Sequence, residues 1–172
     1  MRYLYLLLCV ALISCDPSWG VDSKVTAYVP IYISRQDAGF IGTVAAKPTV
    51  VPGKIYAYGN YLFQVEQNEG VHIIDNSDPK QAHKIAFLKV AAASELAIKS
   101  GYLYTNNLND LVVFDLSNIA SPRLVNRVED AFPQINQEYP PFTGVYFECV
   151  DPSKGVVIGW EEKQIDQPKC RR

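Results

Sequence analysis

Short runs of alternating apolar and polar residues cover the middle of the chain. From residue 54 onward, apolar side chains occupy every second position of each run, as at Phe63 and Val65. Turn signals such as Gly59-Asn60 separate the runs. Alternation with a period of two residues, bounded by turn signals, predicts β-strands that bury one face. The pattern therefore predicts an all-β domain.

The same pattern occurs twice, with a period of about 40 residues. In each copy a strand that begins at Tyr61 or Tyr102 is followed by an apolar strand ending in Asp, a polar Asx turn and a proline. These second parts are residues 70–79, GVHIIDNSDP, and residues 110–122, DLVVFDLSNIASP. Each unit contains about four predicted strands, which is typical of the blades of a β-propeller. We therefore predict two propeller-like four-stranded blades.

The two units resemble the LVIVD repeat, a propeller-like repeat of bacterial and archaeal cell-surface proteins. The resemblance covers residues 54–130, and the strand Gly101-Tyr-Leu-Tyr followed by residues 111–122 carries it most clearly. It implies a propeller-like fold and a cell-surface location, and it implies no particular activity. Because two units are too few to close a propeller, the resemblance implies either that the chain is the front part of a longer protein or that another element completes its blades.

The N-terminus has the features of a lipoprotein signal peptide. Residues 4–13 form an unbroken apolar run, which is too short to span a bilayer as a helix. The sequence Leu12-Ile13-Ser14-Cys15 resembles a bacterial lipobox, in which a small residue before the cysteine admits the peptidase. We expect cleavage between Ser14 and Cys15, so that residues 1–14 are removed, and attachment of a diacylglycerol to the Cys15 thiol. The alternative is an ordinary signal peptide with an unrelated cysteine.

Lipidation of Cys15 would place the protein on a membrane. Two or three acyl chains such as palmitate give a stable anchor. We therefore expect the protein in the bacterial cell envelope, at the outer membrane or cell surface rather than the inner membrane. Asp16 follows the cysteine, and in enterobacteria an acidic residue there is associated with inner-membrane retention, although the rule is not general among bacteria, so the choice of membrane and leaflet is left open.

Residues 15–53 are predicted to be a lipidated tether and connector that contains one short helix. Ser34 and Asp37 resemble a capping box ahead of apolar residues at helical spacing, which predicts a helix near residues 34–44. Pro30 lies inside the apolar run 25–33, so that run is predicted to be an edge strand at best.

Residues 131–172 depart from the repeat pattern. A proline-rich loop is followed by two apolar runs, residues 145–150 and 155–160, on either side of Asp151-Pro152-Ser153-Lys154. That arrangement predicts a β-hairpin. The tail after residue 160 is charged, and we expect it to be partly flexible.

Charge and cysteine content narrow the partners and the compartment. The net charge of −2 offers no basic field for nucleic acid, so a nucleic-acid partner is not expected. With Cys9 in the leader and Cys15 lipidated, Cys149 and Cys170 remain, 21 positions apart, in a compartment where thiols oxidise. They are candidates for a disulfide, and two unpaired thiols are the alternative.

The sequence contains no recognisable catalytic, cofactor or metal site. The acidic turn at residues 75–78 lacks the oxygen spacing of a calcium loop, so Asx turns explain it. Neither His72 nor His83 has ligands near it at metal-binding spacing. By alternation, His72 lies on the strand face opposite Val71 and Ile73, and we predict that it is a packed or hydrogen-bonded histidine. We therefore predict no enzyme, no cofactor and no metal. The alternative is a propeller-type hydrolase acting on envelope polysaccharide.

Aromatic residues are the remaining candidates for binding. Aromatic side chains on exposed surfaces commonly anchor glycans or protein partners. The candidates are Tyr102, Tyr104, Tyr139 and Phe142, and the alternative is that they fill the core. Unpaired sheet edges also favour a protein or glycan partner, self-association or further blades. We expect a non-catalytic binding or scaffold module at the envelope.

Overall fold

A computed structural model describes residues 24–132 and 138–172 of the chain. The predicted signal peptide, Ser14 and the predicted lipidation site Cys15 lie outside the described residues. Within these ranges, no helix has both the length and the apolar character needed to cross a bilayer.

Nearly all of the regular secondary structure in the described residues is strand. These are β1 (Lys24–Ile33), β2 (Gly42–Val44), β3 (Pro52–Tyr58), β4 (Tyr61–Glu66), β5 (Gly70–Asp75), β6 (His83–Lys89), β7 (Leu96–Lys99), β8 (Tyr102–Asn107), β9 (Asp110–Asp115), β10 (Arg123–Val128), β11 (Tyr146–Phe147), β12 (Val156–Asp166) and β13 (Cys170–Arg171). A helix α1 (Arg35–Gly39) and a 3-10 turn at Pro152–Lys154 complete the elements. The all-β prediction is confirmed.

Each repeat forms one antiparallel sheet, so the prediction of two propeller-like blades is also confirmed. Blade 1 has the spatial order β3-β4-β5-β6, and the short strand β2 adds to its outer edge beside β6. Blade 2 has the order β7-β8-β9-β10. The register repeats as well, since Tyr61 lies opposite Asp75 in blade 1 and Tyr102 lies opposite Asp115 in blade 2.

One apolar core holds the two blades together. It contains side chains from one face of each sheet, and Phe63 of blade 1 and Phe114 of blade 2 are both fully buried in it. The core consists of Phe63, Val71, Ile73, Ala86, Leu88, Val90, Ala93, Ile98, Leu103, Val112, Phe114 and Leu116. Burial of apolar surface is the main stabilising term in such a core. Blade 1 and blade 2 therefore depend on each other for burial of their facing sides.

The polar residues that end the apolar strands form the Asx turns predicted from sequence. Asp75 Oδ1 accepts a hydrogen bond from the Ser77 N–H at 2.8 Å, and Asp115 Oδ1 accepts one from the Ser117 N–H at 2.8 Å. These bonds hold the pKa of each carboxyl below its usual range. Two equivalent turns in two repeats show that strand termination is the role of these residues.

The third sheet differs from the predicted hairpin. Its order is β12-β1-β11-β13, so β1 lies between the two strands that were expected to pair with each other. β1 pairs antiparallel with β12 along its whole length and parallel with β11 at Tyr28 and Phe147. The turn between β11 and β12 is present, with the Asp151 carboxylate accepting a hydrogen bond from the Ser153 N–H at 2.9 Å. The hairpin prediction is therefore wrong, because the apolar strand β1 supplies a longer pairing partner than β11 does.

The tail and the first strand are also more ordered than the sequence indicated. β12 continues to Asp166, and β13 pairs with β11, so most of the charged tail is strand. β1 is not an edge strand, although Pro30 lies inside it. The Tyr28 carbonyl accepts a hydrogen bond from the Glu148 N–H, so the backbone groups of Tyr28 face β11. Residues two apart in a strand point the same way, so the Pro30 nitrogen also faces that side, beyond the end of β11. No ladder bond is lost there.

The predicted helix is present but shorter than expected. Ser34 caps α1, and its hydroxyl accepts a hydrogen bond from the Asp37 N–H at 3.0 Å, as the capping box predicts. The helix ends at Gly39, and residues 42–44 form β2 against β6. Thr43 and Val44 are β-branched and favour the strand, so tertiary pairing overrides the helical spacing.

A disulfide joins Cys149 to Cys170, with 5.3 Å between their Cα atoms. It links the segment after β11 to β13 across a separation of 21 residues.

Removal of this disulfide should destabilise the protein. In the chain-entropy model a loop of this length contributes about 3 kcal/mol. We expect the free energy of unfolding of the double variant Cys149→Ser, Cys170→Ser to be lower by about that amount, so that its urea midpoint is lower. Reductant should shift the wild-type midpoint and leave the variant unchanged. Equal midpoints for the two oxidised proteins would show that the bond is absent or without effect.

Candidate binding surface

The two repeats expose corresponding faces in different ways. In blade 1, the face that carries Phe63, Val71 and Ile73 packs against blade 2. The corresponding face of blade 2 carries Tyr104 and Leu111, and it points away from blade 1. We call this face of blade 2 the back face. No other sheet of the described residues packs on it.

The centre of the back face is mainly apolar. The register places Tyr104 directly between Ala97 and Val113, and Val128 directly opposite Leu111. At its centre lies a cavity of about 350 Å³ lined by Ser94, Glu95, Leu96, Ala97, Tyr104, Thr105, Asn106, Leu111 and Phe132. Exposure remains high at the edges, with Tyr102 41% and Val128 44% exposed. Contiguous exposed apolar patches often serve as interaction sites, so this face is the candidate surface.

Most polar groups under this face already have partners inside blade 2. The Asn106 side chain accepts a hydrogen bond from the Ser94 N–H at 3.0 Å and donates one to the Ala92 carbonyl at 2.7 Å. Thr105 donates to the Glu95 carbonyl at 2.6 Å. These bonds hold the connector between the blades, residues 90–95, in place.

Of the four predicted binding aromatics, the structure brings two together. Tyr102 and Tyr104 are two positions apart on β8 and share the back face. Tyr139 and Phe142 lie in the loop before β11 and pack against the third sheet instead. The Tyr139 ring lies edge-on to Phe147 at 6.0 Å, and the Phe142 ring lies 5.5 Å from the Tyr28 ring. The four aromatics therefore do not form one site.

Sequence reasoning missed the aliphatic half of the back face. Leu111 corresponds in the repeat to Val71, which is fully buried between the blades. That correspondence was available in the sequence, and it indicates which face of blade 2 is equivalent to the buried face of blade 1. Val128 corresponds in the same way to Leu88, which is also fully buried, whereas Phe132 had no comparable signal.

The opposite end of the blade pair is closed by the chain itself. We call the face of blade 1 that points away from blade 2 the front face, and residues 45–51 the cap segment. The cap segment covers Glu66 and His72, which are both fully buried on the front face. Glu66 accepts hydrogen bonds from the N–H groups of Val50, at 3.0 Å, and Val51. Lys84 Nζ donates to the Lys47 carbonyl at 3.1 Å and so also holds the cap segment.

Glu66 and His72 form a buried pair. His72 Nε2 lies 2.8 Å from Glu66 Oε2, and the His72 ring packs against Phe87 at 4.9 Å. This confirms the prediction that His72 is a packed, hydrogen-bonded strand histidine. His72 Nδ1 has no hydrogen-bond partner among the described residues. The carboxylate is an acceptor, so Nε2 carries the proton of the neutral ring.

The pKa values of His72 and Glu66 are both shifted downward, but for different reasons. Burial lowers the pKa of His72 below its ordinary value, and the nearby charges of Lys84 and Lys47 add to this, although the bond to Glu66 opposes it. Burial raises the pKa of Glu66, but hydrogen bonds from Val51, His72 and Val50 outweigh burial and lower it overall. The ionised carboxylate and the neutral imidazole are therefore the favoured forms.

These shifts predict that acid weakens the fold. Because the pKa of His72 is lower in the folded chain, the unfolded chain binds an extra proton below about pH 6.5, and stability falls as the pH drops. Glu66 acts in the same direction below about pH 4.5. We expect His72→Gln, which keeps a donor for Glu66, to lose less stability than wild type between pH 7 and pH 5 in urea unfolding. An equal loss in both proteins would contradict the role of His72.

A second cavity of about 570 Å³ lies between blade 1 and the third sheet. Its charged groups pair with one another, since Lys89 Nζ lies 2.6 Å from Asp37 and Lys47 pairs with Glu69. Its lining is otherwise mainly apolar and includes Ile31, Ile33, Val44, Phe87 and Ile158. Across residues 24–132 and 138–172, no group of three or more His, Cys, Asp or Glu side chains is placed to hold a metal ion.

Comparison with known families matches the two blades individually. The LVIVD repeat family matches residues 53–82, which lie in blade 1, and residues 91–130, which contain blade 2. No curated protein and no solved structure shows a significant match to the chain. The repeated register, the paired Asx turns and these matches agree, and the chain is an LVIVD-repeat protein with one repeat in each blade.

Proposed function

We propose that this protein is a non-catalytic scaffold or binding module of the bacterial cell envelope, anchored by lipid on Cys15, and that the back face of blade 2 is its contact surface. One observation carries the proposal. Among the described residues, no other sheet covers the face of the second repeat that corresponds to the face the first repeat buries against the next blade. A surface built to pack against another sheet is thereby available to a partner.

The chemistry of the back face favours a protein partner over a glycan. Sugar recognition needs polar side chains with unused hydrogen-bonding capacity beside an aromatic ring. Asn106, the amide under the central cavity, already bonds to Ser94 and Ala92. The remaining side chains offer Tyr104, Leu111 and other apolar groups, which suit the apolar face of another sheet.

The anchor is proposed from the lipobox-like sequence before Cys15. Eight residues separate Cys15 from the start of β1 at Lys24. Even fully extended, they span at most about 29 Å, so the blades would stay close to the membrane. We propose the outer membrane or the cell surface as the location.

Metabolic labelling tests the anchor. Cells that express the full chain are fed an alkynyl palmitate, and labelled protein is sought in the membrane fraction. We expect label on wild type and none on Cys15→Ala, which should also leave the membrane fraction. Equal labelling of both proteins, or of neither, would contradict the anchor.

Site-directed photo-crosslinking tests the contact surface. A photoreactive phenylalanine analogue is placed at Tyr102 on the back face or, as the matched control, at Tyr146 of β11. Both tyrosines lie in strands and have similar exposure, at 41% and 44%. We expect a crosslinked protein adduct in cells from position 102 at a yield at least about tenfold above position 146. Equal yields, or no adduct from position 102, would contradict the proposed surface.

A further inference from the structure

We infer that the cap segment is an acid-sensitive cover, which leaves the front face when His72 takes up a proton while both blades stay folded. The cap segment lies at the opposite end of the blade pair from the back face. This device is therefore independent of the proposed contact surface, and it stands on how the cap segment is held and on what lies beneath it.

Polar contacts rather than buried apolar side chains hold the cap segment on blade 1. Every residue of the segment is exposed or half-buried, and the adjacent Val50 and Val51 are 70% and 53% exposed. The Glu66 carboxylate accepts hydrogen bonds from both of their N–H groups. Lys84 Nζ donates to the Lys47 carbonyl at 3.1 Å. A cover that buries little apolar surface depends on these charged groups, so a change in their protonation can release it.

Release of the cap segment does not require blade 1 to unfold. Residues 45–51 form no strand, while β2 before them pairs with β6 and β3 after them pairs with β4. These pairings fix both ends of the segment, so opening is the displacement of one short loop. Local openings of this kind cost less free energy than global unfolding.

His72 lies beneath this contact and has no acceptor for a second proton. Nε2 carries the proton of the neutral ring and faces Glu66 Oε2 at 2.8 Å, so an added proton goes to Nδ1. Nδ1 is buried, and it has no hydrogen-bond partner among the described residues. A buried donor without an acceptor is destabilising. Protonation therefore favours the open state, in which water reaches Nδ1.

The charged groups around His72 come from three elements. Glu66 of β4 favours the protonated ring, whereas Lys84 of β6 and Lys47 of the cap segment oppose it. The charge of Lys47 is also paired with Glu69 in the turn after β4. Burial has the largest effect and lowers the pKa of His72, so the closed state resists the proton.

This difference between the two states sets the direction of the pH effect. Once water reaches His72, its pKa returns to about 6.5, so below that pH the open state binds one more proton than the closed state. Acid therefore favours opening. With one proton taken up, the opening equilibrium should rise about 5- to 25-fold between pH 7 and pH 5. Glu66 adds to this only near pH 4.5 and below.

Hydrogen exchange of the full chain at pH 7 and pH 5 tests this cover, with each rate divided by the intrinsic rate at that pH. The reporters are the amides of Val50 and Val51, which are bonded to Glu66 in the closed state. At pH 7 we expect both to be less protected than the Phe63 amide, which exchanges through global unfolding. At pH 5 their protection should be about 5- to 25-fold lower than at pH 7.

Two histidine variants identify the group that takes up the proton. His72→Gln keeps a donor for Glu66 but does not titrate, so protection of its cap segment should change by less than about twofold between the two pH values. The matched control is His83→Gln, which removes the exposed histidine at the start of β6. We expect it to respond to acid as wild type does.

Three results would overturn the inference. Val50 and Val51 amides as protected as the Phe63 amide at pH 7 would show that the cap segment leaves only when the domain unfolds. Unchanged protection of these two amides at pH 5 would show that acid does not release it. An equal acid response in wild type and His72→Gln would show that another group takes up the proton. If His72→Gln does not fold, the first two results, both measured on wild type, still decide.

Discussion

Gly70→Ala is expected to lower the free energy of unfolding by about 3 to 5 kcal/mol. Gly70 begins β5 with φ at +149°, where a side chain is strained. A Cβ there would also overlap the Leu88 carbonyl oxygen and come within 3.0 Å of the Val90 nitrogen, both of which are backbone atoms. Backbone held by a sheet ladder cannot move aside cheaply, so the variant should pull β5 away from β6.

The measurement is the urea midpoint of Gly70→Ala beside that of Gly39→Ala. Gly39 ends α1, and a Cβ there would meet nothing within 4 Å. We expect Gly39→Ala to stay within about 1 kcal/mol of wild type. Similar midpoints for the two variants would show that the contact between β5 and β6 at Gly70 has room for a side chain.

Glu66→Ala is expected to cost about 3 to 5 kcal/mol of unfolding free energy. The substitution removes the acceptor for the N–H groups of Val50 and Val51 and the partner of His72, and it leaves a cavity beneath the cap segment. Glu66→Gln keeps the volume and one acceptor oxygen, so we expect it to cost less than Glu66→Ala.

Glu95→Ala is the matched control for this measurement. Glu95 pairs with Lys54 across the two blades, but its side chain is 63% exposed. An exposed ion pair contributes at most about 1 kcal/mol. If Glu66→Ala costs no more than Glu95→Ala, the buried pair does not hold the cap segment on the front face.

The blades could be predicted from sequence because their information is local and occurs twice. The alternation of apolar and polar residues indicated which face of each strand is buried. The strand at Tyr61 recurs at Tyr102, and this indicated the repeat. The Asx turns at Asp75 and Asp115 followed from residue type alone. The family resemblance rested on the same residues.

The third sheet could not be predicted in the same way. Its longest pairing joins β1 to β12, and its register matches Lys24 with Asp166 across most of the chain. Local turn signals at Asp151 and Pro152 located a turn correctly, but they carried no information about a third strand between its two arms. The predicted hairpin failed for that reason.

Of the buried pair, the sequence analysis predicted the burial of His72 but not that of Glu66. Alternation placed His72 on the face opposite Val71, yet nothing singled out Glu66, because glutamate is rarely buried. A weak signal existed in the repeat, since the position equivalent to Glu66 is Asn107, which is also fully buried at its strand end. Two polar residues at equivalent strand ends would have suggested a structural role.

Hydrogen exchange tests the central claim, that the two repeats share one core. The amides of Phe63 in blade 1 and Val112 in blade 2 lie in inner strands with partners on both sides. If the core is shared, both amides should exchange only through global unfolding, with free energies that agree within about 0.5 kcal/mol. Exchange of Val112 several kcal/mol more easily than Phe63 would show that blade 2 unfolds on its own, and would contradict the account.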